Sequence, residues 1–202
     1  MLKSHQHFFR PGMGTEKLAP FLKSMVEFIR PSKILEVGAG YTTPFLIDAI
    51  KANKVLINEG NLYPNILQRM PHDSRVFTID DFEDKAKLDE YRRLEKENSD
   101  FFSLYEGKLQ DILTKEFCEK NGPFDFVYFD CGGSAEYLDF CKNCLNYCSG
   151  IVIFHFTFTN GMPNGNKNII DKYCTKEYET ISLLEPHKYR QGSVTIIRRI
   201  KS

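Results

Sequence analysis

Four places in this 202-residue chain combine residue types and spacings that can do chemistry. Glu36, Gly38 and Gly40 stand in the order acid-x-Gly-x-Gly at the end of an apolar run, Ile34-Leu35-Glu36-Val37. The two glycines let the backbone turn tightly and let a ligand approach main-chain atoms with no Cβ in the way. Glu36 puts a carboxylate beside that turn, where it can meet a cation or a hydroxyl. Asp80 and Asp81 close the β-rich run Arg75-Val76-Phe77-Thr78-Ile79, and Asp130 closes Phe124-Asp125-Phe126-Val127-Tyr128-Phe129. His155 ends the run Ile151-Val152-Ile153-Phe154. Carboxylates at strand ends accept hydrogen bonds from ligand hydroxyls, and an imidazole titrates near neutral pH and serves as a base.

The elements around these residues decide whether they can meet. Ile34, Leu35 and Val37 read as a strand covered on both faces. Thr42 or Thr43 caps the following helix, 42–51, whose first turn tolerates Pro44. A strand, a glycine turn and a helix N-terminus together make a nucleotide site, with Ala39, Tyr41 and Thr42 on its backbone wall. A dinucleotide fingerprint needs a third glycine where Thr43 stands, so a nicotinamide dehydrogenase is disfavoured. The acid for ribose hydroxyls should follow the turn by about 20 residues. Glu59, after Val55-Leu56-Ile57, fits that distance; Asp80 or Asp81 ends the better strand and is preferred. Residues 53–74 then form an insertion.

The remaining elements alternate. Thr15 opens a helix with Leu18, Phe21, Leu22, Met25, Val26 and Ile29 on its buried face, ended by Pro31. Residues 83–99 read as a charged surface helix with a narrow stripe of Leu88, Tyr91 and Leu94. Residues 101–107 form a third strand, and 109–120 and 137–148 helices. Residues 159–168 form a mobile loop rich in Asn, Gly and Pro, followed by a short helix near 169–175. Two final strands, 179–184 and 193–200, flank a turn holding His187, Tyr189 and Arg190.

The E-x-G-x-G turn resembles motif I of the class I S-adenosylmethionine (SAM) methyltransferases, and Phe124-Asp125-Phe126-Val127-Tyr128-Phe129-Asp130 resembles their fourth strand. The resemblance covers about residues 14 to 200 and implies an α/β, Rossmann-like fold. That fold is one domain with a seven-stranded, mostly parallel sheet, an antiparallel C-terminal hairpin and helices on both faces. It implies SAM as cofactor, held by Glu36, Gly38, Ala39, Gly40, Tyr41, Thr42 and Asp80 or Asp81, and a small-molecule acceptor with an O or N nucleophile. Asp130 and His155 would lie at the reacting centre. As in small-molecule O-methyltransferases of the catechol type, the segment before the first helix would lie over the site, placing His5, Gln6, His7 and Arg10 near substrate. Those enzymes hold Mg²⁺ with an acid after the fourth strand and an Asp-Asn pair after the fifth. Asp130 matches the first position, but His155-Phe156 stands in the second and offers no hard oxygen ligands. The lysine they place three residues after the first acid is Gly133 here. No metal is therefore expected. The alternative is a SAM-binding protein without catalysis, acting as a regulatory or complex-forming subunit.

Composition narrows the partners. With 27 basic and 27 acidic side chains the chain carries no electrostatic footprint for nucleic acid, and no basic run points to a membrane surface. The expected partner is a small molecule, and a homodimer is left open. No apolar signal region or spanning stretch is read, so a cytoplasmic location with six reduced cysteines is expected. Cys141, Cys144 and Cys148 share one helical face without paired C-x-x-C knuckles, which reads as packing rather than zinc binding.

Overall fold

The structure is a computed structural model and describes residues 2–60, 62–184 and 193–200. After a 3₁₀ turn at Leu2–Phe8, the order is α1 (Leu18–Ile29), β1 (Lys33–Val37), α2 (Thr42–Asn58), α3 (Pro64–Leu67), β2 (Arg75–Asp80), α4 (Lys85–Glu97) and β3 (Phe102–Glu106). There follow α5 (Leu109–Ile112), α6 (Lys115–Asn121), β4 (Phe124–Phe129), α7 (Ser134–Asn143), β5 (Cys148–His155), β6 (Phe158–Thr159), β7 (Met162–Pro163), α8 (Gly165–Tyr173), β8 (Tyr178–Leu183) and β9 (Val194–Arg199).

Seven strands form one sheet in the order β3-β2-β1-β4-β5-β9-β8. The first five are parallel, and β9 runs antiparallel to both β5 and β8. Alternation along the strands explains the two layers. Leu35, Val37, Phe77, Val127, Phe129 and Phe154 point to the side of α5–α8. Ile34, Val76, Phe126, Tyr128 and Ile153 point to the side of α1 and α2, against Leu22, Val26, Leu46 and Ile50. The chain leaves β1 towards β2 and returns to β1's other edge with β4. That reversal leaves a crevice at the carboxyl ends of β1 and β4, where open α/β sheets bind ligands.

Local chemistry fixes the ends. Asp125 at the start of β4 accepts from the backbone N–H of Ser32 (2.7 Å) and Lys33 (3.1 Å), which aligns β1 beside it. Arg30 takes the left-handed conformation (φ 56°) that stops α1 before Pro31. Asn164 caps α8 by accepting from the N–H of Asn166 and Lys167.

Several sequence expectations shift. Residues Lys54–Asn58 are the last turns of α2 and not a strand, because its helical face already carries Leu46, Ile47 and Ile50 into the core. Glu59 sits just past this helix, exposed, and β2 pairs directly with β1. The 109–120 helix breaks into α5 and α6, where Thr114 starts the second by accepting from the N–H of Phe117. The 137–148 helix ends at Asn143, and Cys148 already belongs to β5. The loop expected at 159–168 folds into the β6–β7 hairpin and the first turn of α8. Phe21 is more exposed than its neighbours, and Ala19 takes the buried place on α1. Among the described residues no helix is long and apolar enough to cross a membrane, and none of the six cysteines is in a disulfide.

Candidate functional site

Gly38 follows the last residue of β1 with φ +94°, a conformation that disfavours any side chain. A Cβ there would lie 2.1 Å from the Asp130 carbonyl oxygen. The turn is wedged between its neighbours: Gly38 N–H donates to Ile79 O (2.9 Å) and Asp130 N–H to Val37 O (2.8 Å). Gly40, by contrast, has nothing closer to a notional Cβ than Thr42 Oγ1 at 3.9 Å. The turn is held from two sides. Thr43 Oγ1 accepts from Gly40 N–H (3.1 Å), and Tyr91 Oη donates to Gly40 O (2.7 Å). Neither threonine makes a side-chain cap on α2, whose N-cap position is Tyr41. Thr43 instead ties the turn, and Thr42 serves Glu36.

Glu36 is fully buried beneath the turn. The hydroxyls of Thr42 (2.6 Å) and Thr78 (2.8 Å) donate to its two oxygens. Burial raises its pKa to about 7 against the opposing hydroxyls of Thr42, Thr43 and Thr78. Thus the structure places Glu36 under the ligand crevice and not on its wall.

Asp80 ends β2 and points at the turn. Its Oδ2 accepts from Ala39 N–H (2.7 Å) and from Lys87 Nζ (3.2 Å), and its Oδ1 from Phe82 N–H (2.8 Å). Phe82 adopts φ 45°, a left-handed strain located at the site. Asp81 is exposed beside it. Asp130 ends up across the crevice with its side chain one-third exposed. Tyr128 Oη donates to Asp130 Oδ2 (2.9 Å), and His155 Nδ1 lies 2.8 Å from Oδ1, an ion-pair distance that is out of line for a hydrogen bond. Burial works to raise the Asp130 carboxyl, but His155 and Tyr128 outweigh it and hold the group below its ordinary value. His155 is only 2% exposed, and its Nε2 has no hydrogen-bond partner among the described residues. The aspartate faces the crevice and the histidine stands behind it, so of the two residues expected at the reacting centre only Asp130 opens onto the cavity.

Two cavities straddle Gly38. One, of about 500 Å³, is bounded by the turn at 38–41, by Asp80, Asp81 and Lys87, and by Tyr91 and Asp130. The other, of about 340 Å³, runs under Asp81 to Gly107–Gln110 and Glu136. The larger is roofed by the N-terminal segment. His7 lies 3.4 Å from Glu90, Arg10 lies 3.8 Å from Asp84, and the buried Phe8 ring packs edge-on to Tyr91 at 5.0 Å. His7 and Arg10 line the cavity, whereas His5 turns to Asp48 on α2 (2.8 Å) and Gln6 is exposed. His187, Tyr189 and Arg190 lie outside the described residues.

Lys87 and Tyr91 line the larger cavity, and sequence reasoning missed them as candidates because α4 reads as a solvated helix. Tyr91 is 1% exposed and packs with Phe8, Phe82 and Leu88. The available signal was an aromatic centred in the apolar stripe of an otherwise charged helix. Among the described residues, no group of three or more His, Cys, Asp or Glu is placed to hold a metal ion.

This sheet order, crevice and glycine turn define the class I, Rossmann-like methyltransferase fold. No protein-family model and no curated protein matches the sequence. Solved structures do match in shape. The chain is similar to an O-methyltransferase from Bacillus cereus in complex with SAH (S-adenosylhomocysteine), with TM-score 0.67 and 16% identity over 98% of this chain and 88% of that one. It is also similar to TomG, an O-methyltransferase of tomaymycin synthesis from Streptomyces achromogenes in complex with SAM (0.62, 15%, 98% and 87%). A third is the SAH-bound methyltransferase PaMTH1 from Podospora anserina (0.63, 17%, 91% and 78%).

Proposed function

We propose that this protein is a SAM-dependent methyltransferase that acts on an O or N nucleophile of a small molecule. One observation carries the reading. At the carboxyl ends of β1, β2 and β4, an open glycine turn faces a cavity lined by Asp80, Asp81, Glu83, Asp84, Glu90 and Asp130, against Arg10 and Lys87 as the full cations among the described residues. Such a wall favours a ligand with net positive charge, and SAM carries a sulfonium and an ammonium against one carboxylate. The SAM- and SAH-bound proteins of the same fold support the same cofactor.

When bound, SAM supplies a methyl group already activated for displacement, so the protein's task is alignment and proton handling. Gly38–Tyr41 would lie against the cofactor. Asp81, and the free lone pair of Asp80, would accept its hydroxyls, and Glu36 would support the turn from below. Asp130 would accept a hydrogen bond from the acceptor's N–H or O–H, while His155 and Tyr128 hold that carboxylate in place. His155 is then a positioning residue. Isothermal titration should show SAM and SAH binding with one site per chain, and turnover should release SAH. Absence of SAM binding by wild-type protein sinks the proposal.

A further inference from the structure

We propose that the methyl acceptor is an amine, and that this cavity is built against phenolate and carboxylate acceptors. The inference rests on the SAM methyltransferase reading above and concerns the same cavity. Three observations carry it.

First, the group facing the reacting space is a fixed anion. Asp130 is approached from behind by Tyr128 Oη at 2.9 Å and His155 Nδ1 at 2.8 Å. Tyr128 donates to it and the His155 ring stands beside it, and both favour its charged form, so it is a poor base for a weakly acidic hydroxyl and a good acceptor for an N–H. Second, among the described residues each full cation of the lining faces a carboxylate. Lys87 is engaged by Asp80 at 3.2 Å and Arg10 lies 3.8 Å from Asp84. Third, an ammonium already sits comfortably here: Lys87 Nζ lies over the rings of Phe82 (5.4 Å) and Tyr91 (5.8 Å) as well as beside Asp80.

Charge bookkeeping then separates the two chemistries. With an anionic acceptor, positive charge on sulfur and negative charge on oxygen both disappear, and a carboxylate-lined wall repels the nucleophile from the start. An amine bound as its ammonium first gives one proton to solvent; the nitrogen lone pair so freed forms the N–CH₃ bond as the S–CH₃ bond breaks, and the bonding pair stays with sulfur. The positive charge moves to nitrogen and stays within reach of Asp130. The methylated nitrogen then releases its proton through Asp130 to solvent. Fixed carboxylates stabilise that migrating charge throughout.

The test uses the whole protein with SAM and size-matched acceptor pairs, such as benzylamine-type amines against phenols and benzoates. SAH release should give kcat/KM for amines at least ~10-fold above the oxygen acceptors, because like-charge juxtaposition disfavours the latter. A second readout is independent of turnover: thermal shift of SAH-loaded protein should rise with protonated amines and stay unchanged with benzoates. Glu90→Gln, which removes one carboxylate from the cavity wall beside His7, should raise KM for the amine several-fold. Faster turnover of phenols or carboxylates overturns the inference but leaves the methyltransferase reading intact. SAM binding without turnover of any amine overturns it as well. Failure to bind SAM removes the reading beneath it.

Discussion

Replacing Glu36 by Gln should make the protein more stable and a poorer binder of its cofactor, and the stability gain should depend on pH. The carboxyl is fully buried, and burial lifts its pKa from the ordinary 4.5 to about 7. Each pH unit between folded and unfolded values corresponds to about 1.4 kcal/mol. Ionising Glu36 therefore costs the folded state about 3 kcal/mol that the unfolded chain does not pay. The sign follows from the two values. Below pH 4.5 the group is protonated in both states and contributes no penalty. Between 4.5 and about 7 the unfolded chain ionises while the folded one keeps its proton, so stability falls as pH rises. Above about 7 the penalty is complete. Glutamine keeps the shape without the charge but must turn a hydroxyl of Thr42 or Thr78 to accept from its amide, at a cost of roughly 1 kcal/mol. Urea unfolding of both proteins should show the variant about 2 kcal/mol more stable at pH 8 and equal or slightly weaker near pH 4. SAM affinity should drop, because a negative charge under the turn is lost. A stability difference that stays constant across this pH range would refute the reasoning.

Three further substitutions probe the same framework. Gly38→Ala combines a positive φ with a Cβ 2.1 Å from the Asp130 carbonyl oxygen, so β1 and β4 must separate; a loss above ~3 kcal/mol in chemical unfolding, with SAM binding abolished, is expected. Tyr91→Phe removes the hydroxyl that donates to Gly40 O at 2.7 Å and keeps the ring between Phe8 and Phe82. It should cost about 1 kcal/mol of stability and weaken SAM binding in calorimetry, with the circular dichroism spectrum unchanged. His155→Ala should lower kcat by at least ~10-fold through a displaced Asp130, with His155→Gln recovering part of it and SAM affinity nearly constant in both; an equal loss of SAM affinity in the two variants would mean that the histidine serves only the fold.

How much of this was legible beforehand depends on what each residue's role is made of. The strands β1, β2, β4 and β5 were readable because residues buried on both faces leave continuous apolar runs, and the turn was readable because Gly38 has a conformational requirement that few other residues meet. Strand ends then placed Asp80, Asp130 and His155 at one edge of the sheet, since parallel strands in register bring their carboxyl termini together. The direction in which those side chains face was not legible. His155 follows Phe154 in strict alternation, and the side-chain period of a strand does not tell an open crevice from a buried gap above the same sheet. Burial decides it: at 2% exposure His155 stands behind Asp130, its Nδ1 2.8 Å from Oδ1. The same limit hid α4, where Tyr91 and Lys87 belong to the site through contacts with Gly40 and Asp80, residues 51 and 7 positions away. A carboxylate at a strand end is thus visible in one dimension, but whether it is a base, a ligand or a charge held for another group is fixed by the donors behind it. For Asp130 the hydroxyl of Tyr128 donates to Oδ2 and the His155 ring stands 2.8 Å from Oδ1, and both favour its anionic form.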